Sequence, residues 1–243
     1  MTDGAALRIG LVGLTGRMGR EISALAAGDS GLVIAGGVGR ETVANLPGVV
    51  VASDVLIDFS TPDAIESVIE ASATAGCPLV LGTTGLTEAQ VGRVRALSEQ
   101  VPVWYARNMS TGVSLLQRVL PEIARALAAY DIEVIEAHHR HKVDAPSGTA
   151  LMLAEAILAG LSAPDPHPSV YGREGYSPRQ PGEIGFHSIR GGGNPGEHTL
   201  VFASDEEEIR ISHRAFSRQA FAAGAIRAAR AIYGQPPGWY GPE

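Results

Sequence analysis

The chain has 243 residues, 45% of them hydrophobic, with 30 glycines, a formal charge of −7 and one cysteine, Cys77. This length and composition fit an α/β globular protein of one large or two modest domains; the negative balance argues against a nucleic-acid scaffold, and a single cysteine excludes an internal disulfide. With no apolar span of about 18 residues and no leader resembling a signal peptide, the cytoplasm is expected and no membrane partner is.

The stretch LRIGLVG, from Leu7 to Gly13, has the pattern of a short buried strand and runs directly into GLTGRMGREISALAA. Gly13, Gly16 and Gly19 give the spacing GxxGxxG, which differs from the familiar dinucleotide fingerprint. Its placement between a hydrophobic strand and a helical pattern is nevertheless the context that fingerprint requires. Glycines let the backbone approach a pyrophosphate whose charge lies at the helix N-terminus. Gly13, Leu14, Thr15, Gly16, Arg17 and Met18 are therefore candidate cofactor contacts, the alternative being a merely tight strand-to-helix turn. A second strand, Leu32 to Val38, ends in Gly39-Arg40. No acidic residue stands at that strand end to accept the ribose hydroxyls of NADH, whereas Arg40 offers a donor fork suited to a 2′-phosphate. NADPH is thus the favoured donor, with a solvent-facing Arg40 or an inward-turned Glu41 as the competing arrangements.

The alternation continues with a strand at Val55 to Thr61, a helix from Pro62 to Ala75, and a strand and turn from Cys77 to Gly85. Thr87 is placed to cap the next helix, with Glu88 in its first turn. VPVWYA is a further strand, leading through Arg107, Asn108, Met109 and Ser110 into a helix from Thr111 to Ala129. Such βαβ repetition predicts a parallel sheet covered by helices, with ligands outside the carboxyl ends of its strands. Phe59-Ser60-Thr61, Gly82-Thr83-Thr84-Gly85 and Ala106 to Met109 then share the crevice of the glycine turn; a polar β-to-α turn is the plainer account of Gly82 to Thr84. Cys77, with no base beside it, is expected to be a buried thiol.

Beyond Ser110 the character changes. A strand from Asp131 to Ala137 leads into EAHHRHKVDAPSGT, Glu136 to Thr149, which holds three of the seven histidines and Lys142, the only lysine of the chain. A compact amine that can change protonation state, used once among arginines, points to chemistry. His138, His139 and Lys142 fit a proton-transfer and anion-binding site, set against a metal site or a solvated basic loop. A helix runs from Thr149 to Gly160, and Gly148-Thr149 at its N-terminus makes a nest for a carboxylate, with a plain helix cap, by Ser147 or Thr149, as the alternative. Pro164, Pro166 and Pro168 then interrupt regular structure. Three candidate strands follow, IGFHSIR, EHTLVFA and EEIRISHRA, as antiparallel or mixed neighbours in a second layer. His187, His198 and His213 fall within them and are assigned structural or interface roles. A last helix, Phe216 to Tyr233, is placed to return to the first domain.

GLTGRMG, GTTG, ARNMS and above all EAHHRHKVDAPSGTA resemble the 4-hydroxy-tetrahydrodipicolinate reductases, formerly called dihydrodipicolinate reductases, of the lysine and diaminopimelate pathway. The likeness spans nearly the whole chain, and the histidine-lysine motif is its specific part. It implies an α/β protein with a Rossmann-type parallel sheet in residues 1–110, a substrate-binding and oligomerisation domain of α+β mixed-sheet type in 111–215, and a C-terminal helix and tail, 216–243, that returns to the first domain. A homotetramer is implied as well. So is reduction of a cyclic dicarboxylate by NADPH or NADH, with no metal. Matched residue by residue, His138 is the proton donor or acceptor and Lys142 the principal proton donor. His139, Gly148 and Thr149 hold substrate carboxylates; Gly13 to Met18, Arg40, Gly82 to Thr84 and Ala106 to Met109 contact the cofactor. The acidic ribose-binding position of some members is Gly39 here, which weakens equal use of NADH, and an aromatic near the nicotinamide is Met109. The competing functions are an NADP-dependent dehydrogenase of another small oxo or imino acid, and a nucleotide-sensing regulatory or assembly protein.

Overall fold

Five of the six side chains of β1 (Leu7–Val12) are buried, the signature of a strand covered on both faces. The computed structural model describes residues 5–161 and 167–242, so Pro164 and Pro166 lie outside the described residues. After β1 come α1 (Arg17–Ala27), β2 (Leu32–Val38), a 3₁₀ turn (Arg40–Asn45) and α2 (Leu46–Val51). β3 (Val55–Asp58), α3 (Ile65–Ala75), β4 (Leu79–Leu81), α4 (Glu88–Leu97) and β5 (Pro102–Tyr105) complete the alternation. The sheet is parallel throughout, and its register brings the carboxyl ends of β1, β3 and β4 level at Val12, Asp58 and Leu81. Alternate side chains serve opposite faces: Ile9, Ile57 and Val80 enter one apolar cluster, Leu56, Leu79 and Leu81 the other.

Helix ends follow local chemistry. Thr87 caps α4 as expected, its hydroxyl accepting the Gln90 N–H while Gln90 Oε1 accepts the Thr87 N–H, a reciprocal capping box. β3 stops at Asp58, short of the expected Thr61, because the Asp58 carboxylate accepts the Ser60 N–H at 2.8 Å and turns the chain.

The second unit is built on α5 (Thr111–Ala126), β6 (Asp131–His138) and α6 (Gly148–Gly160), followed by β7 (Ser169–Tyr171), β8 (Ile184–Arg190), β9 (Glu197–Ala203) and β10 (Glu208–Arg214). Its strand order is β10-β9-β6-β8-β7, with β6 at the centre, antiparallel to β9 and parallel to β8, which makes the sheet mixed. α5 and α6 cover one face, where Leu120, Leu153 and Ile157 meet Val134, Phe186 and Phe202.

α7 (Gln219–Ile232) and β11 (Gly238–Trp239) return to the first sheet, β11 pairing with the edge of β5. The chain therefore divides into one compact unit of Met1–Ser110 with Arg218–Glu243 and another of Thr111–Ser217. β7 and β11, three and two residues long, carry too short a pattern to be read from sequence. α5 and α7 are shorter than expected, ending at Ala126 and beginning at Gln219. No helix among the described residues is long and apolar enough to cross a membrane.

α7 buries a face of small residues, among them Ala222, Ala225 and Ala229, against α1 and the strands β3, β4 and β5. Its closest approach is at Gly224, where an added Cβ would lie 1.6 Å from the Met109 carbonyl oxygen. Gly224→Ala should therefore force the helix outward and cost about 1–3 kcal/mol, as overpacked cores do. Chemical denaturation checks this; an unchanged midpoint would mean that α7 is not seated on Met109.

Candidate functional site

Two groups of residues carry chemistry, one in each unit. In the first unit, β1 ends at Val12 and the chain turns through Gly13, at φ +86°, into α1, whose N-cap is Gly16. A Cβ on Gly19 would sit 2.4 Å from the Gly13 carbonyl oxygen, so only glycine lets the helix begin this close to the strand. No side chain caps α1 and no acidic residue stands in its first turn, which leaves the positive end of the helix to an anion. A crevice of about 430 Å³ opens there, lined by Gly13, Thr15, Gly16, Gly39 and Arg40 together with Phe59 to Thr61. These residues fit a dinucleotide: a pyrophosphate at the helix end and a phosphate-bearing ribose toward Arg40. Glu41 is exposed and is not among the residues lining the crevice, so the inward-turned alternative is not adopted.

Other candidates are placed differently. Arg17 is exposed at the first position of α1, while Leu14 and Met18 pack against the apolar cluster beneath it. Thr83 is buried, and its hydroxyl is spent within the protein: it donates to Asp58 Oδ2 at 3.0 Å and accepts the Ser60 N–H at 2.9 Å. Gly82 is buried and Thr84 exposed. Ala106 and Met109 belong to the core, and Asn108 Oδ1 accepts the Ser110 N–H, while Arg107 is half-buried. Asp58 joins the β3 and β4 loops, and burial pushes its carboxyl up to about 6 against the opposing hydrogen bonds from Ser60 and Thr83. Cys77 is buried, its thiol pushed up to about 11 by desolvation.

In the second unit, the inward face of β6 reads Ile132, Val134, Glu136, His138: two apolar residues, then an acid and an imidazole. Glu136 is 1% and His138 7% exposed. His138 Nδ1 lies 2.6 Å from Glu136 Oε2. Strand pairing sets Arg190 of β8 opposite His138, and its guanidinium forks onto the same acid, Nη1 to Oε2 at 2.8 Å and Nη2 to Oε1 at 2.6 Å. The Ser147 N–H adds a bond to Oε1 at 3.2 Å. Ser147, not Thr149, caps α6, its Oγ accepting the Ala150 N–H and lying 3.0 Å from His198 Nε2. Gly148 is therefore the exposed first residue of the helix and Thr149 the half-buried second. The His198 ring meets that of His138 edge-on at 5.1 Å.

Lys142 follows on the turn, paired with Asp144 at 2.9 Å. The turn is pinned to the β8–β9 connection, His139 N donating to the Asn194 carbonyl and Gly191 N to that of His138. Burial alone would raise the Glu136 carboxyl, but hydrogen bonds from Arg190, Ser188 and His138 outweigh it and bring the group down to about 2. Burial lowers His138, Glu136 partly opposing and the charges of Lys142 and Arg190 assisting. Desolvation, with His138 and His213 adding, takes His198 down to about 3. Among the described residues no group of three or more His, Cys, Asp or Glu is arranged to hold a metal ion. The cluster thus combines a buried carboxylate, a neutral imidazole, one primary amine and a fixed guanidinium beside a helix N-terminus, a set suited to a carboxylate ligand and to proton exchange.

Sequence reasoning missed Glu136, Arg190 and Asp58, and left the cap of α6 open between Ser147 and Thr149. Glu136 is readable from the period of β6; Arg190 reaches the site only through strand pairing.

A helix-covered parallel sheet with a glycine turn after its first strand defines the Rossmann-type, dinucleotide-binding class of fold, here in a chain that also carries a mixed-sheet unit. A family model for the N-terminus of dihydrodipicolinate reductase matches residues 7–109, and one for its C-terminus matches residues 112–243. The 4-hydroxy-tetrahydrodipicolinate reductase of Halorhodospira halophila is 47% identical, with 97% of each chain covered. That of Thermomicrobium roseum is 46% identical, over 96% of this chain and 97% of its own. Among solved structures, dipicolinate-bound dihydrodipicolinate reductase from Paenisporosarcina sp. TG-14 superposes with a TM-score of 0.74 at 22% identity, covering 97% of both chains, and shares the fold. The chain belongs to the dihydrodipicolinate reductase family.

Two of the buried acids, Glu136 and Asp58, predict opposite pH behaviour. Glu136, depressed from 4.5 to about 2, stabilises the fold above its unfolded value, and that contribution is lost as pH falls through about 2. Asp58, raised from 3.8 to about 6, favours the fold at low pH and loses that contribution as pH rises through about 6. Thermal melts of the wild type and Glu136→Gln should differ by a constant amount above pH 4.5 and converge toward pH 2. A gap that ignores pH would mean that Glu136 is not held as a native-state anion.

Proposed function

We propose that the chain reduces (2S,4S)-4-hydroxy-2,3,4,5-tetrahydrodipicolinate to 2,3,4,5-tetrahydrodipicolinate, in lysine biosynthesis through diaminopimelate, with NADPH preferred over NADH. Family membership along almost the entire chain supports the reaction, and the observation that carries its assignment to residues is the gathering of Lys142, His138, His139 and Arg190 beside the start of α6. In balance, one hydride and one proton enter the substrate and one water leaves. The nicotinamide supplies the hydride when bound. Everything else falls to the protein: two carboxylates to be held, charge to be met as it moves, and one proton to be delivered.

Lys142 is the proton donor in this reading. Its carboxylate neighbour Asp144 steadies it on the turn while leaving the side chain partly accessible. His138 exchanges a proton or a hydrogen bond with the ring. His139, Gly148 and Thr149 hold the substrate carboxylates in this reading, at a helix N-terminus whose dipole favours an anion and where the Gly148 backbone already hydrogen-bonds to the Asp144 carboxylate. On the nucleotide side, the α1 terminus takes the pyrophosphate and Arg40 the 2′-phosphate, while the backbone near Gly82 to Thr84 and Ala106 to Met109 borders the nicotinamide. A homotetramer acting in the cytoplasm belongs to the same reading, by resemblance to the family.

Consumption of NADPH with freshly prepared substrate tests the reaction directly. Lys142→Ala should keep cofactor affinity while turnover falls by roughly 10²- to 10⁴-fold, the worth of a positioned general acid; turnover near that of the wild type would remove Lys142 from the chemistry. Arg40→Ala should weaken NADPH much more than NADH in paired Kd measurements. Equal losses for the two cofactors would reassign Arg40 to the pyrophosphate and end the selectivity argument.

A further inference from the structure

Glu136 is the most enclosed charged group of the second unit, and no part of the proposed reaction yet requires it. A lone carboxylate on the core face of a strand is costly, and here at least four donors converge on it: both terminal nitrogens of Arg190, the Ser147 N–H and His138 Nδ1. Such an acid accepts and does not donate, so the 2.6 Å contact requires the hydrogen to sit on His138 Nδ1. The other ring nitrogen, Nε2, then carries the lone pair of a neutral imidazole. Glycine at 196 keeps that edge of the ring uncrowded, since a Cβ there would come within 3.1 Å of Nε2.

We infer that Glu136 is a positioning residue that locks His138 in the tautomer with hydrogen on Nδ1, so that Nε2 meets the substrate as a hydrogen-bond acceptor and Lys142 alone delivers the proton. This rests on the reading of His138 as a residue of the reductase site, and it narrows that reading from donor or acceptor to acceptor. The same acid ties the imidazole to its surroundings. Through Arg190 it is fixed to β8 and, by Nη2, to the Asp144 carbonyl; through Ser147 it is fixed to the cap of α6. Imidazole orientation, the lysine-bearing turn and the helix end are therefore set from one carboxylate.

Glu136→Gln is the discriminating change because it keeps the shape and splits the two oxygens. Oε1 receives two obligate donors, Arg190 Nη2 and the Ser147 N–H, whereas Oε2 receives one, Arg190 Nη1, beside an imidazole that can exchange donor for acceptor; the amide oxygen is therefore drawn to the Oε1 side, and its NH₂ faces His138 at the cost of the Nη1 bond. Nδ1 must then accept, and the ring proton moves to Nε2. Nitrogen NMR of histidine-labelled enzyme, with the His138 signals assigned by their loss in His138→Gln, reads the tautomer directly. The wild type should show hydrogen on Nδ1. Glu136→Gln should show it on Nε2, with kcat lower by roughly 10²- to 10⁴-fold and the Kd for NADPH unchanged, as expected when an imidazole is held in the wrong tautomer. Hydrogen on Nε2 in the wild type would overturn the inference without any variant. So would a Glu136→Gln enzyme that loses turnover while keeping the wild-type tautomer, or one that flips it and keeps turnover. If His138→Gln itself turns over normally, the reading of His138 in the reaction fails instead, and the tautomer assignment still stands or falls on the wild-type spectrum.

Discussion

A carboxylate on the core side of a sheet must have its acceptors met, and the second unit is arranged around meeting those of Glu136. Arg190 reaches it from the parallel neighbour of β6, Ser147 from the cap of α6, and His138 from the same strand two residues on. Each bond is modest in water, but in a dry site an unmatched partner is expensive, so the members constrain one another. The consequence for function is rigidity at the strand end: the imidazole, the guanidinium and the helix terminus are fixed before any ligand arrives, and this spares the binding step their ordering entropy.

The first unit solves a different problem with little side-chain chemistry. Its crevice is made mainly of backbone, brought close by Gly13 and Gly19, and its hydrogen-bonding groups are peptide N–H groups that no side chain caps. The buried acid there, Asp58, acts inwardly, tying the loop after β3 to the loop after β4 through Ser60 and Thr83. Arg40, exposed just after β2, is the one arginine that lines the crevice.

Much of this was legible before any coordinates. The strands of the first sheet are continuous apolar runs, and their order of appearance with helices between them leaves few topologies. The lone lysine among eighteen arginines singles out the turn after β6 because lysine and arginine differ chemically. Glu136 was legible in principle, since it falls in phase with Ile132 and Val134 on the buried face. Arg190 and His198 were not, because they meet β6 only through pairing with β8 and β9, and no local pattern records which strands become neighbours. The partners of the Thr83 hydroxyl, Asp58 and the Ser60 N–H, lie 25 and 23 residues away in the chain, so no local pattern records them. β7 and β11 escaped because two or three residues carry no period.

The return of α7 has a consequence for how the chain is made. Ala222, Ala225, Ala228, Ala229 and Ile232 belong to the same apolar cluster as Ile9 and Ile57, to which α1 contributes only Ile22 and Ala26 with Met18 and Leu25 beside them, so one face of the first sheet is covered in part until α7 follows. On a ribosome the unit begun first is thus the last to close: residues 111–217 can complete their own core while β1, β3 and β4 still expose apolar side chains to water. The nucleotide-binding unit is in this sense a clasp, open through most of synthesis and fastened by the closing stretch of the chain.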